Sequence, residues 1–345
     1  ADSGQIIVED NANQQLPPAS LTKIMTAFIV FAELENGSIS KDDMVPISVK
    51  AWKMGGSRMF VREGTSVRLE DLLRGVIIQS GNDASVALAE YIAGDEATFA
   101  DMMNQMAARL GMTGTHYKNA TGWPAEGHVS TAHDLALLSN ALVARFPEHY
   151  AMYSEREFAY NDITQSNRNG LLWRDSSVDG IKTGHTEEAG YCLVASAVKD
   201  DMRLITVVMG TKSSRAREQE TQKLMSYGFR YYETSELYAA NDVVMSPRVW
   251  GGADESVNLV VDTPLVVTIP RGAKDELEAL VEVDSEITAP IKAGDQLGDL
   301  NIKYQGELLA SRQLIAANNV EQAGLLSRLW DMLLLLVRGL LGLES

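Results

Sequence analysis

The chain has 345 residues, a formal net charge of −17 and 45% apolar residues. That length can build more than one core, and that apolar share is ordinary for a folded globular protein. The acidic balance argues against a nucleic-acid partner, whose phosphates need a basic surface.

The chain opens on Ala1, with neither an initiator methionine nor the apolar stretch of a signal peptide, and reads as processed or shortened. Gln5 to Val8 is a short strand-like run. Pro17-Pro18 breaks the chain, and Ala19 to Leu34 then reads as a helix ended near Gly37. A helix so apolar on every side belongs at the centre of a domain. Ser20 and Lys23 stand one turn apart at its start and share a face. Lys23 can therefore reach the Ser20 hydroxyl. A lysine acts as a base only when neutral, and burial in such a helix would lower its pKa. The N–H groups of the helix start suit an oxyanion. Ser38-Ile39-Ser40-Lys41 has the same S-x-x-K spacing but lies in a polar loop, where an ordinary surface pair is expected.

Leu69 to Gln79 and Ala84 to Ile92 read as helices, with Ser80-Gly81-Asn82 in the break between them. A hydroxyl in such a loop can relay a proton to a leaving nitrogen. The Asn82 amide can hold a substrate carbonyl or the Lys23 side chain, and N-capping of the next helix would also explain these residues. Glu96 to Leu110 is a third helix, closed by Gly111, and Thr131 to Ala144 a fourth, with Ser130 or Thr131 as N-cap.

From Gly180 the period changes. Lys182-Thr183-Gly184 precedes a strand from Tyr191 to Val198, which a turn at Lys199-Asp200-Asp201 joins to a second strand, Leu204 to Met209. Lys182 offers positive potential, Thr183 a hydroxyl for an anionic terminus and Gly184 close backbone approach; a plain turn with one exposed lysine is the alternative. Cys192, the only cysteine, lies in the first of these apolar runs and is expected to be a buried, unreactive thiol. Arg215 to Tyr232 is again helical. A helical cluster with an antiparallel sheet argues an α+β domain over 1–232.

After Glu233, short strands alternate with Pro and Gly: Val243 to Val249, Ser256 to Val261, Leu265 to Ile269, Glu278 to Val283 and Asn301 to Tyr304. They predict a small all-β domain over 233–321. The last segment, 322–345, is leucine-rich. On a helix over 324–343 the charges of Arg328, Asp331 and Arg338 fall within about 80° of one another, with Leu335 the one large apolar residue among them. Such a helix suits a membrane interface, with Trp330 as anchor; a docking or dimerisation helix is the alternative. No run of about 18 apolar residues is free of charge, so no ordinary membrane span is expected. The five histidines show no metal spacing and read as surface residues, no metal or other cofactor is implied, and no phosphate-cradling glycine loop is present.

Ser20-Leu21-Thr22-Lys23, Ser80-Gly81-Asn82 and Lys182-Thr183-Gly184, in that order, resemble the three motifs of the penicillin-recognising serine enzymes. Wider context, including Pro18 to Thr26, Asn167 to Leu172 and Val178 to Thr186, is similar to the low-molecular-mass penicillin-binding proteins, the serine D-alanyl-D-alanine carboxypeptidases. The resemblance covers nearly the whole chain. It implies a peptidase that removes the terminal D-Ala from peptidoglycan stem peptides through an acyl-enzyme on Ser20, and that β-lactams acylate. Lys23 would be the base, Ser80 the proton relay and Asn82 the substrate-orienting amide. Lys182 and Thr183 would hold the terminal carboxylate beside Gly184, helped by Arg217. The oxyanion would sit between the N–H groups of Ser20 and His185, and Arg168 matches a further arginine near the site. The family places such proteins on the periplasmic face of the inner membrane, anchored peripherally by the terminal helix and exported by a signal peptide absent from this chain. Two departures stand out. The family has a full strand before Ala1. It also has a rim loop where this chain carries Gly122 to His128, and Trp123 there leaves substrate preference open. A class A-like β-lactamase would share the motifs, but no Glu-x-x-Leu-Asn pattern precedes Lys182; Glu126 is the nearest alternative, in a Gly/Pro loop of different character. A non-catalytic peptidoglycan-binding protein is the other alternative.

Overall fold

Helix α1 (Thr22–Glu35) shows why the first part of the chain folds as it does. Every residue from Thr22 to Ala32 is buried, so the helix needs neighbours on all sides. The computed structural model describes residues 1–340, and supplies them: α2 (Leu69–Ile77), α3 (Asn82–Ala93), α4 (Glu96–Arg109) and α5 (Ala132–Arg145) share one apolar cluster with α1. Phe28 meets Phe146 edge-on at 4.9 Å between ring centroids, and Phe31 stacks on His149 at the same distance. Each fully buried Leu, Ile or Phe here contributes about 1.5–3 kcal/mol. The starts of α4 and α5 are set by side chains. Asp95 accepts from the N–H groups of Ala97 and Thr98, and Thr131 from that of Asp134.

Three antiparallel strands follow: β1 (Val178–Thr186), β2 (Gly190–Lys199) and β3 (Met202–Thr211), in the order β1-β2-β3. The β2–β3 turn takes the left-handed backbone at Asp200 and Asp201, φ 51° and 59°, which matches the twist of the strands it joins. Strand β1 lies at an edge of this sheet, with Lys182 opposite Val194 and Gly184 opposite Cys192. Cys192 is buried and free, as its apolar run implied. Helix α6 (Ser214–Tyr231) follows the sheet.

The chain divides into two compact units, one holding Ala1 and Ile6–Arg230, the other Asp2–Gln5 and the chain from Tyr231 onward. In the second unit β4 (Tyr232–Tyr238) pairs with β7 (Leu265–Pro270). Strands β5 (Val243–Met245), β6 (Leu259–Val261), β8 (Leu277–Val283), β9 (Gln296–Tyr304) and β10 (Glu307–Ala316) form a five-stranded sheet in the order β8-β9-β10-β6-β5. Leu259, Val261, Val267, Leu300 and Leu314 are central to its core. Helix α7 (Leu325–Leu340) is held by its polar side. Asp331 accepts from the Arg248 guanidinium at 3.0 Å and the Gly251 N–H at 2.8 Å. Leu335 is half-buried, while Leu326, Leu329, Trp330 and Leu333 are exposed. Residues 341–343 of the helix expected over 324–343 lie outside the described residues.

Several expectations are corrected. Gln5 to Val8 is not a strand. Ser20 belongs to a 3-10 turn, Ala19–Leu21, and α1 starts only at Thr22. His128 and His149 are buried rather than on the surface, because each has an aromatic neighbour, Tyr117 or Phe31, that covers its ring. Strand β10 had no clear pattern, since only Leu314 and Ala316 among its residues are buried.

Candidate active site

The turn that carries Ser20 is fixed by two close backbone approaches. Ala19 has a left-handed φ of 48°, and a Cβ on Gly122 would lie 1.8 Å from its carbonyl oxygen. On the other side, a Cβ on Gly184 would lie 3.0 Å from the Pro18 carbonyl oxygen and 3.2 Å from the Leu21 side chain. Glycine is required at Gly122, where φ is also positive. The first motif is thus packed directly against the third.

Lys23 is 1% exposed. Its Nζ donates to Ser20 Oγ at 3.1 Å, to Asn82 Oδ1 at 2.7 Å and to the Thr121 carbonyl at 2.5 Å. Burial lowers its pKa to about 7; the Arg168 charge adds to that, and Asp83 opposes it. A lysine that sheds its proton near neutrality has a lone pair for the Ser20 hydroxyl.

The second motif is a strained loop. Ser80 has a left-handed φ of 59°, a cost of about 1–2 kcal/mol for a residue with a side chain. The loop is held by Gly81 N–H to Gly75 O at 2.9 Å and Asn82 N–H to Ser57 O at 2.8 Å. Asp83 adds to this: its buried carboxylate accepts from the N–H groups of Met59, Phe60, Val61 and Ala84. Ser80 is buried, and its Oγ has no hydrogen-bond partner among the described residues. Asn82 also donates from Nδ2 to Gly55 O at 2.8 Å, which leaves the second hydrogen of that amide for another acceptor.

Lys182 and Thr183 are buried on β1. Burial lowers the Lys182 pKa well below its usual value, and Lys23, Arg168 and Arg217 push in the same direction. These neighbouring charges are all cations, so the pocket around Lys182 favours an anion. Arg217, on α6, is buried and donates from Nη1 to Gly184 O at 3.2 Å and Cys192 O at 3.4 Å, with its guanidinium over the Tyr191 ring. His185 is exposed and lies against Tyr191, with ring centroids 3.9 Å apart. Arg168 is exposed, and it reaches the site through its charge on Lys23 and Lys182.

Sequence reasoning missed the rim loop's part in this. Asn119 Oδ1 accepts from the N–H groups of Thr121, Gly122 and Trp123, and so presents the Thr121 carbonyl to Lys23. His128 Nδ1 accepts from the Lys118 N–H at 3.1 Å. Its Nε2–H therefore donates to Thr22 Oγ1, 2.8 Å away, within the first motif. Burial lowers the His128 pKa to about 4, which keeps the ring neutral. The only local signal for this loop was the turn chemistry of Asn119 and Gly122.

Residues 1–213 match the family described as D-alanyl-D-alanine carboxypeptidase, and residues 232–322 the penicillin-binding protein 5 C-terminal domain. The chain is 44% identical over 341 residues to D-alanyl-D-alanine carboxypeptidase DacC of Escherichia coli, covering 96% of this chain and 85% of that protein. Penicillin-binding protein 5 from Haemophilus influenzae superposes with a TM-score of 0.88 at 40% identity, covering 92% of this chain and 94% of that one. Penicillin-binding protein D2 from Listeria monocytogenes, in its ampicillin-bound form, superposes at 0.61 and 32% identity, covering 66% of this chain and 93% of that one.

Proposed function

Since the chain belongs to the D-alanyl-D-alanine carboxypeptidase family and is a serine-type peptidase of that activity, we propose that Ser20 is its nucleophile and Lys23 its base. The observation that carries this reading is the buried Lys23 amine at 3.1 Å from Ser20 Oγ, with its pKa lowered to about 7.

The substrate is a peptidoglycan stem peptide ending in D-Ala-D-Ala. Its terminal carboxylate enters the cationic pocket at Lys182 and Thr183, with Arg217 adding charge and fixing Gly184. Ser20 Oγ attacks the carbonyl carbon of the penultimate D-Ala while its proton passes to the neutral Lys23 amine. The oxyanion is held by the N–H groups of Ser20 and His185. Collapse breaks the C–N bond, and Ser80 Oγ relays a proton to the leaving D-Ala amine. Asn82 orients the acyl part through its remaining amide hydrogen. Water then attacks the ester carbonyl and regenerates Ser20. A β-lactam enters by the same attack, its ring amide taking the place of the scissile bond, as suits a penicillin-binding fold. The β-lactamase alternative is not favoured, because the matched families and relatives are carboxypeptidases and penicillin-binding proteins.

Among the described residues no helix is long and apolar enough to cross a membrane. Helix α7 turns its apolar side outward, with Leu326 86% and Trp330 62% exposed. This supports a peripheral anchor in the membrane interface, on the periplasmic side where the substrate is. The division of labour proposed for the chain is a catalytic domain over 1–232, a β domain over 233–321 and the anchor over 322–345. The test of the chemistry is D-Ala release from a peptide ending in D-Ala-D-Ala. Wild type releases D-Ala and Ser20→Ala does not; equal release by both would remove Ser20 from the mechanism.

A further inference from the structure

Asp83 follows Asn82 in the second motif and takes no part in the mechanism above. It is buried, and each of its carboxylate oxygens accepts twice. Oδ1 accepts from the Met59 N–H at 2.8 Å and the Ala84 N–H at 2.9 Å; Oδ2 accepts from the Phe60 N–H at 2.8 Å and the Val61 N–H at 3.2 Å. Three consecutive backbone N–H groups thus converge on one anion, as in a nest. A nest needs a left-handed residue, and Phe60 supplies it with φ 70°. The Phe60 ring is exposed, under the Arg58 guanidinium, so burial does not account for that unfavourable backbone. The charge-assisted hydrogen bonds to Asp83 do. Gly81 leaves the carboxylate its room: a Cβ there would lie 2.9 Å from Asp83 Oδ1 and 3.1 Å from the Met59 nitrogen.

The carbonyls of this segment are held from its other side. Gln165 Nε2 donates to Arg58 O at 3.1 Å and Asn161 Nδ2 to Phe60 O at 3.2 Å, both from the hairpin of Glu157–Tyr160 and Ile163–Ser166. Just before the nest, the same segment sets Asn82. Ser57 O accepts the Asn82 N–H and Gly55 O accepts from Asn82 Nδ2, both at 2.8 Å. Gly56 permits the approach, since a Cβ there would lie 2.9 Å from Nδ2. With Nδ2 turned to Gly55, Oδ1 faces the Lys23 amine at 2.7 Å. A flipped amide would set Oδ1 against the Gly55 carbonyl oxygen, two acceptors with no hydrogen between them.

Resting on the proposed roles of Lys23 and Asn82, we infer that Asp83 is a positioning residue: its carboxylate folds residues 59–61 into a nest and so fixes the Gly55 and Ser57 carbonyls that hold Asn82 Oδ1 toward Lys23. Asparagine cannot replace it, because either orientation of its amide sets an NH2 group against two N–H donors. Asp83 also acts through its charge. Burial and then the Arg168 charge lower the Lys23 pKa, and Asp83 opposes them. Lys182 is the other cation that interacts with Lys23, and His128 is neutral.

The test is the pH profile of acylation by a fluorescent penicillin, in stopped flow, for wild type, Asp83→Asn, Phe60→Pro and Phe60→Gly, with folding checked by circular dichroism and thermal unfolding. At high pH Lys23 is neutral in every variant, so the plateau reports geometry. In Asp83→Asn the plateau is expected to fall about ten- to hundredfold. Its midpoint moves to lower pH, because a charge that raised the Lys23 pKa is gone. Phe60→Pro keeps that charge but loses one N–H and cannot take a positive φ; its plateau falls as well. Phe60→Gly loses the same ring, keeps the N–H and adopts the left-handed backbone freely, so its plateau stays within about twofold of wild type. A wild-type plateau and midpoint in Asp83→Asn, with only a lower unfolding temperature, would overturn the inference. Equal plateaus for Phe60→Pro and Phe60→Gly would overturn it too, and that pair decides the matter if Asp83→Asn does not fold. A flat profile in wild type would instead remove Lys23 as the titrating base, and with it the reading on which the inference rests.

Discussion

With its pKa lowered to about 7 by burial, Lys23 is divided between charged and neutral forms near neutrality, and only the neutral form can take the Ser20 proton. The neutral fraction grows as pH rises through the pKa. The rate constant for acylation by a fluorescent penicillin should therefore rise about tenfold from about pH 6 to about pH 8 and then level. A flat profile over that range, measured by stopped flow, would mean that Lys23 is not the titrating base. Ser80 gives a second residue-scale prediction. Its hydroxyl is buried without a partner among the described residues, so Ser80→Ala removes an unsatisfied group and should leave stability within about 1 kcal/mol of wild type. Loss of the relay should lower kcat by about a hundredfold or more. Thermal unfolding and D-Ala release read these two effects separately; an unchanged kcat would reject the relay.

At the scale of elements, the site is a packing problem between the Ser20 turn, the rim loop and β1. Gly122→Ala would place a Cβ 1.8 Å from the Ala19 carbonyl and must push the Ser20 turn away. A loss of about 3 kcal/mol or more in stability and over a hundredfold in kcat/KM is expected. Gly127→Ala, in the same loop at φ 76° but with only Lys118 nearby, should cost about 1 kcal/mol and little activity. Equal effects of the two substitutions, by calorimetry and assay, would deny that the loop positions Ser20. This scale also separates what was legible in the sequence. The α1 helix showed itself because it is apolar all round, and the β2–β3 hairpin because two β-branched runs flank an Asp-Asp turn. The three motifs were legible as spacings. What was not legible depends on contacts distant in sequence: the Thr121 carbonyl on Lys23, the His128–Thr22 hydrogen bond, and the Asp83 carboxylate collecting N–H groups of Met59 to Val61. Nor does any pattern reveal β10, which is mostly half-exposed.

For the whole molecule, a chain of net charge −17 is repelled by anionic lipid, so attachment through α7 must come from its apolar face. The full chain should co-sediment with phospholipid vesicles, and added salt should not weaken the binding. A chain ending at Ala323 should stay in the supernatant while it still releases D-Ala from a soluble peptide. Retention of the shortened chain on vesicles, or release of the full chain by salt, would place attachment elsewhere.

The central claim, that Ser20 is the residue acylated with Lys23 as its base, is tested most directly by intact mass and peptide mapping after brief exposure to benzylpenicillin. The account predicts one penicilloyl group, on the peptide containing Ser20, that is absent in Ser20→Ala and nearly absent in Lys23→Arg despite native folding. An adduct on another residue, or full acylation of Lys23→Arg at the wild-type rate, would contradict it.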